Sequence, residues 1–210
     1  MTSTAVDTRK NQAPRLNRDD WLDAAYEVVA ESGFDAVRVL SIADTLKVTR
    51  GSFYWHFIDH ADLIAALLQR WRSREIEADK RLQADATDDP EADLVRLLDT
   101  ALAYGGSDLK ALRFEQALRS LGRRDPKAAE MLAEVDAVRL AVLEEKFLRL
   151  TGDTRTASEL AALIYLAVAG GLQALARPGS DDRVAAYLRR VIADYLIHRQ
   201  TPGAGSSLAT

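Results

Sequence analysis

The chain has no cysteine among its 210 residues, which excludes disulfides, thiolate catalysis and zinc sites built on cysteine. It also has no HExxH or comparable metal spacing, no GxSxG elbow, no Gly-rich phosphate loop and no GxGxxG. Its three histidines, His56, His60 and His198, are not spaced as metal ligands. The acid pairs Glu144-Glu145 and Asp181-Asp182 are sequence neighbours on a helix or at its start, so each pair diverges instead of converging on one substrate atom. No catalytic residues, cofactor or metal are therefore expected. There is no large charge of either sign, since the net charge is −4. The N-terminus has no signal-peptide run, Met1 to Lys10 being mostly polar, so a cytoplasmic location is expected. No strand pattern and no internal repeat is visible.

What the chain does have is helical periodicity and enough apolar residues, 48%, for a sizeable core. Asn17 can cap a first helix whose buried stripe is Trp21, Ala25, Val28 and Val29, ended by Gly33. Val39, Ile42, Ala43 and Leu46 form one face of a short second helix. The pattern breaks at Lys47-Val48, and Thr49 can cap a third, on which Phe53 and Phe57 face inward. Arg50, Ser52, Trp55 and His56 are left facing out. Two short helices fixed by a small core, with the second one's N-terminal residues exposed, is the geometry of a helix-turn-helix. Residues 1–60 hold seven basic and nine acidic side chains, so a DNA face requires that charge be segregated, with acids on the far side.

This segment resembles the DNA-binding domain of the tetracycline-repressor (TetR) family of bacterial transcription regulators. The resemblance is carried by Gly33-Phe34, Ile42-Ala43, Val48-Thr49-Arg50-Gly51, Tyr54-Trp55-His56-Phe57 and Leu63. It covers about the first third of the chain. Three positions depart from the family pattern. Arg38 stands where a Thr often caps the second helix, Lys47 where the turn often has Gly, and His60 where a Lys usually meets a phosphate. The DNA-contacting set is expected to be Arg38, Thr49, Arg50, Gly51, Ser52, Tyr54, Trp55, His56 and His60. Arg50 can be bidentate to guanine. Thr49 lies at a helix N-terminus that favours an anion. Tyr54, His56, His60 and Arg38 suit phosphate.

The expected fold is all-α, with about nine helices. Residues 1–16 form a disordered basic arm, 17–60 the three-helix helix-turn-helix domain, 61–200 an effector-binding and dimerisation domain, and 201–210 a disordered tail. Asp59 caps the fourth helix, with Ile64, Leu67, Leu68 and Trp71 on its face. Asp89-Pro90 starts the fifth, stopped by Gly105-Gly106 with Ser107 capping the next; Asp125-Pro126 opens a long one ending before Gly152. Leu160 to Ala176 contains no charged residue, too short and too rich in Ala and Gly for a membrane span, and apolar all round as a helix covered on every side must be. A last helix over 181–199 carries Val184, Tyr187, Leu188, Val191, Ile192, Tyr195 and Leu196 as one stripe.

The resemblance implies that these last two helices pair with those of a second copy, with Gly170, Gly171, Val184, Tyr187, Leu188, Val191 and Tyr195 in the homodimer interface. It also implies a small-molecule pocket, with Trp71, Tyr104, Arg113, Phe114, Gln116, Met131, Asp136, Phe147 and Tyr165 as candidate lining. From residue chemistry alone, Asp136 can equally pair with Arg139 or Arg119, and the aromatics can be core. The function expected is a ligand-responsive regulator, a repressor, whose partners are a palindromic double-stranded operator, its own second copy and an unidentified effector, with no membrane. The alternative is a DNA-organising or division-control protein on the same fold with a protein partner.

Overall fold

The computed structural model describes residues 16–107 and 109–174 together with Tyr187, Arg190 and Val191, with backbone alone at 98, 101–107 and 171–174. Among these residues there are eight α-helices, one 3-10 turn and no strand. The first helix, α1 (Arg18–Ser32), opens with a capping box. The Asn17 side chain accepts from the Asp19 and Asp20 backbone N–H groups at 2.7 and 3.1 Å, and the Asp20 carboxylate accepts from the Asn17 N–H at 2.6 Å. Gly33 (φ 80°) ends it in a conformation side chains disfavour, and a 3-10 turn, Phe34–Ala36, follows.

The helix-turn-helix is α2 (Val39–Thr45) and α3 (Arg50–Phe53), the latter prolonged by turns to His56. Arg38 occupies the cap position of α2 with no side-chain capping bond; its guanidinium instead donates to the Asp35 and Val37 carbonyls at 2.6 and 3.0 Å. Thr49 has the backbone of a cap but its hydroxyl does not cap α3, and the Ser52 hydroxyl donates back to the Thr49 carbonyl at 2.9 Å. The turn between them closes as a Schellman motif: the Val48 N–H reaches the Ala43 carbonyl at 2.9 Å and the Lys47 N–H the Asp44 carbonyl at 3.1 Å. Lys47 therefore sits at the left-handed position of the motif, with φ 57°, the one non-glycine residue with positive φ among those described.

Trp21 is fully buried edge-on to Phe53, ring centroids 5.3 Å apart, and Phe53 stacks on Phe57. Burial of each such ring contributes roughly 1.5–3 kcal/mol, which is what holds a four-residue helix in place. Arg18, at the start of α1, lies over the Phe57 ring at 4.8 Å and so belongs to the head.

α4 (His60–Ala84) is capped by Asp59, whose carboxylate accepts from the Asp62 N–H at 2.8 Å. It continues the head core through Leu63, Leu67, Leu68 and Trp71. The body follows as α5 (Pro90–Ser107), α6 (Leu109–Gly122), α7 (Pro126–Thr151) and α8 (Thr154–Ala174). α5 runs through Gly105-Gly106, against the expected stop there, since glycine lowers helix propensity by only about 1 kcal/mol and does not forbid a helix. Asp125 caps α7, whose end is set by Gly152 at φ 67°.

The head core extends through Phe114 and Leu118 of α6 and Ala128, Leu132 and Val135 of α7, so it is shared between head and body. A second core joins α5, α7 and α8 through Leu94, Leu97, Val142, Leu143, Phe147 and Ile164. It is tied at its end by Asp93, 3% exposed, which accepts from the Thr87 N–H and hydroxyl, Arg96 and Arg149. Burial acts to raise the Asp93 carboxyl, but the Thr87 and Arg149 hydrogen bonds outweigh it and hold the group well below the usual carboxylate range. No helix among the described residues is long and apolar enough to cross a membrane. The stripe expected over 181–199 lies outside the described residues at Val184, Leu188 and Tyr195; Tyr187 and Val191 are helical and exposed.

Because Lys47 holds a left-handed backbone conformation that costs a non-glycine residue about 1–2 kcal/mol, Lys47→Gly relieves it. The greater freedom of glycine in the unfolded chain offsets part of the gain. The expected net effect is a stabilisation of about 0.5–1 kcal/mol in urea unfolding; a loss of stability would show that the Lys47 side chain contributes more than its backbone costs.

Candidate functional site

Two sites stand out, a surface at α3 and a cavity in the body. At the surface, Arg38, Thr49, Arg50, Gly51, Tyr54, Trp55 and His60 are exposed, and Ser52 and His56 are half-buried. Trp55 is 84% exposed, an indole held in water by the turn that follows α3 when it could have packed on α1. Ile58, 84% exposed, and Leu40, 57% exposed, extend the same apolar character. The Arg50 guanidinium is positioned by Tyr54, donating to its hydroxyl at 3.1 Å and lying 5.9 Å from its ring centroid. A Cβ on Gly51 would meet only the Thr49 hydroxyl, at 3.6 Å, which is ordinary contact, so nothing inside the protein requires glycine there. His60 donates from Nε2 to the Val37 carbonyl at 3.1 Å. That nitrogen is thus occupied in fastening the start of α4 to the entry of α2, which leaves Nδ1 for any outside partner.

Most acids of the head are engaged with other partners, while Asp44 of α2 is exposed. Asp19 and Asp23 meet Arg70 of α4, Glu27 meets Lys110 of α6, and Asp35 meets Arg124. Asp20 and Asp59 are spent on helix caps, and the neighbouring Asp62 carboxylate accepts from the Ile58 N–H. Exposed ion pairs contribute little to stability, typically 0–1 kcal/mol, but they decide the sign of the field. Arg38, Lys47 and Arg50 remain on the α2–α3 side.

In the body, α4, α5, α6, α7 and α8 enclose a cavity of about 140 Å³. Much of its wall is apolar, from Trp71, Leu97, Leu112, Val142, Ile164 and Val168. The rest is ionic: Glu75, Asp79, Glu115, Arg119, Arg139 and the Tyr165 hydroxyl. Arg139 donates to Glu75 at 2.7 Å and to Glu115 at 3.1 Å; Arg119 donates to Glu115 at 2.7 Å, to Asp136 at 2.9 Å and to Tyr165 at 3.2 Å. The exception is Asp79. Its nearest cation is Arg139 Nε at 3.7 Å, and its Oδ2 is sealed from solvent without a hydrogen bond. Burial pushes the Asp79 carboxyl up to about 6, against the pull of Arg139. Burial likewise raises Glu75, whereas in Glu115 the same penalty is outweighed by Arg139 and Arg119 and the group is lowered. Tyr165, pushed up to about 12 by burial and by Asp136, is a neutral hydroxyl.

Of the residues expected to line a pocket, Trp71 and Tyr165 are on this wall. Asp136 stands behind it, holding Arg119 more closely than Arg139, which is 4.0 Å away. Phe114 is in the head core and Phe147 in the second core, both fully enclosed, and Met131 packs against the head core. Arg113 is exposed and Gln116 half-buried off the wall. The Tyr104 side chain lies outside the described residues. Sequence reasoning missed Glu75, Asp79, Glu115 and Arg139. The signal was present: Trp71, Glu75, Ala78, Asp79 and Leu82 continue the inward stripe of α4 at helical spacing, with carboxylates where apolar residues belong.

Comparison with known proteins matches the N-terminal region. Residues 22–67 fit the model for bacterial regulatory proteins of the tetR family. The chain is similar to the HTH-type transcriptional regulator AcrR of Shigella flexneri, 30% identical over 90 residues, 43% of this chain and 42% of that one. It is also similar to the class D tetracycline repressor protein of Escherichia coli, 36% identical over 53 residues, 25% of this chain and 24% of that one. The matches therefore span less than half the length of these relatives. Solved structures extend the likeness of fold over most of the chain. A TetR transcription regulator from Haloarcula marismortui aligns over 86% of this chain and 96% of its own, with TM-score 0.65 and 17% identity. A chain from Saccharomonospora viridis solved in complex with choline aligns over 84% and 95%, with TM-score 0.70 and 18% identity.

The raised Asp79 carboxyl makes a stability prediction. Its folded pKa of about 6 exceeds an unfolded value near 3.8, so its contribution is fully present below about pH 4 and is lost as pH rises through 6. Asp79→Asn removes that loss. Discounted for partial exposure and for the attraction of Arg139, the variant is expected to be about 1–2 kcal/mol more stable than wild type at pH 8 and equal to it at pH 4. A variant less stable than wild type at pH 8 would show that the Arg139 attraction dominates.

Proposed function

This chain belongs to the tetR family of bacterial regulatory proteins, and from that premise we propose that it is a homodimeric repressor, released from a palindromic operator by a small molecule held in the body cavity. The relatives are regulators of transcription, not enzymes. The observation that carries the proposal is the α3 surface. An indole 84% exposed, an arginine positioned by Tyr54 and a glycine with no internal reason to be one stand together, while most acids of the head are paired elsewhere. Such groups suit base edges and close backbone approach in a major groove. Arg38, Thr49, Ser52, Tyr54 and His56 then serve phosphates and sugar, and His60 contributes only through Nδ1.

Dimerisation is assigned to α8 and the segment after it. Leu163 and Leu166, 60% and 67% exposed, and Gly170 lie on one face of a helix whose last charged residue is Glu159. Two large leucines in water on the uncharged stretch of this helix are accounted for by a second copy covering them. The cavity supports a small-molecule effector, and the complex of a fold neighbour with choline supports the same use of this architecture. The cavity also favours a ligand-responsive regulator over a DNA-organising protein, which needs no such space.

Selection of bound fragments from random DNA tests the proposal. It should recover inverted half-sites whose centres lie about one helical turn or a small multiple apart. Arg50→Ala should weaken binding to that site by about 1–3 kcal/mol and relax preference at one symmetric base position. Equal weakening on all sequences would make Arg50 a phosphate contact. Leu166→Arg leaves a monomer's own core untouched. In sedimentation it should give monomers with greatly reduced operator affinity, whereas a Leu166→Arg dimer would remove this face of α8 from the interface.

A further inference from the structure

The cavity wall has a chemistry of its own. Four carboxylates, Glu75, Asp79, Glu115 and Asp136, share two guanidiniums, Arg119 and Arg139. Both guanidiniums are already committed. Arg139 spends its two terminal nitrogens on Glu75 and Glu115. Arg119 spends its nitrogens on Glu115, Asp136 and the Tyr165 hydroxyl. Outside these pairs an anionic ligand would find only the Arg139 Nε–H, which already faces Asp79 at 3.7 Å, and every other guanidinium donor would have to be taken from a carboxylate or the Tyr165 hydroxyl. Asp79, by contrast, presents an acceptor oxygen with no hydrogen bond, sealed from solvent beside the cavity. A buried acceptor without a donor is costly, and an excess of buried negative charge is costlier. One group on a ligand answers both deficits, an N–H that carries a positive charge.

We infer that the cavity takes a small organic ammonium ion, its N–H and charge set against the Asp79 and Glu75 carboxylates, with an apolar group of about the size of a benzene ring packed on Trp71, Leu97, Val142 and Ile164. The size follows from the volume: the cavity measures about 140 Å³, and one of roughly 150 Å³ holds benzene. The faces of Trp71 and Tyr165 in the same wall add to the attraction for a cation. A neutral ligand would fill the apolar part and leave the excess charge in place. A bound water would satisfy Asp79 Oδ2 but likewise leave the charge. The inference rests on the effector reading for what the cavity is used for, and on the wall alone for what it binds.

The test is calorimetric titration of the full chain, free of DNA, with three probes of one shape: benzylammonium, benzyl alcohol and benzoate. Benzylammonium should bind at least about tenfold more tightly than benzyl alcohol, and benzoate more weakly than the alcohol. Asp79→Asn should lower benzylammonium affinity about tenfold and leave benzyl alcohol unchanged, the alcohol thereby reporting that the cavity is still formed. Glu75→Gln, whose partner is Arg139, should lower it less and serves as the second variant should Asp79→Asn not fold. Equal affinity for alcohol and ammonium, tightest binding of benzoate, an ammonium affinity indifferent to both variants, or no ammonium binding at all would overturn the inference. Operator affinity is measured separately. If benzylammonium binds through Asp79 and operator affinity does not change, the cation site stands and the effector reading fails.

Discussion

The stacking of Phe114 on Tyr26, with ring centroids 4.6 Å apart, is the contact on which the arrangement depends. Phe114 also meets Phe34 edge-on at 5.5 Å and is wholly buried. It is a side chain of the body embedded in the core of the head. Around it Lys110, Arg124 and Arg70 take up the acids of α1 and the following turn. These pairs add little energy, but they engage acids of α1 and the following turn with cations of α4, α6 and the segment after α6. The next residue after Phe114 is Glu115, which points into the cavity and bridges both arginines. One turn of α6 therefore has one side in the head core and the other in the ionic wall.

That geometry gives cavity occupancy a short physical route to the α3 surface. On the proposed function, a ligand that drew on Asp79 and Glu75 would alter the load on Arg139, which shares Glu115 with Arg119. Close-packed cores do not deform continuously, so a shift of Glu115 would be passed to Phe114 and Tyr26. α4 is a second route, carrying Trp71, Glu75 and Asp79 at the cavity and Leu63 and Leu67 in the head. The same wall is where stability is given up. Asp79 Oδ2 stands buried without a hydrogen bond, and burial pushes its carboxyl up, in a place where an amide would be more comfortable.

Much of the fold was legible because its signals are local. Asn17, Asp59 and Asp125 cap the helices expected of them, Gly33 and Gly152 end theirs, and the stripes of α1, α2 and α4 are the buried faces. Lys47, marked because it stands where the family's turn often has Gly, does hold a left-handed backbone. The misses have physical causes. Gly105-Gly106 was read as a stop, although tertiary packing decides whether a glycine pair breaks a helix. Phe114 and Phe147 were set in a pocket because aromatic residues suit core and pocket equally, and only the three-dimensional neighbours distinguish them. Glu75 and Asp79 were passed over because a carboxylate on an apolar stripe becomes visible as a wall only when Arg139, sixty residues on, is brought to it.

On the proposed function, cavity and DNA face are coupled through α6. The direct measurement is operator affinity with and without saturating benzylammonium, in wild type and in Phe114→Ala. A coupling of roughly 1–3 kcal/mol, about five- to 150-fold in affinity, is expected in the wild type, and little of it in Phe114→Ala even though that variant still binds ammonium. Wild-type operator affinity that is the same with the cavity filled and empty, or a full response retained by Phe114→Ala, would contradict it.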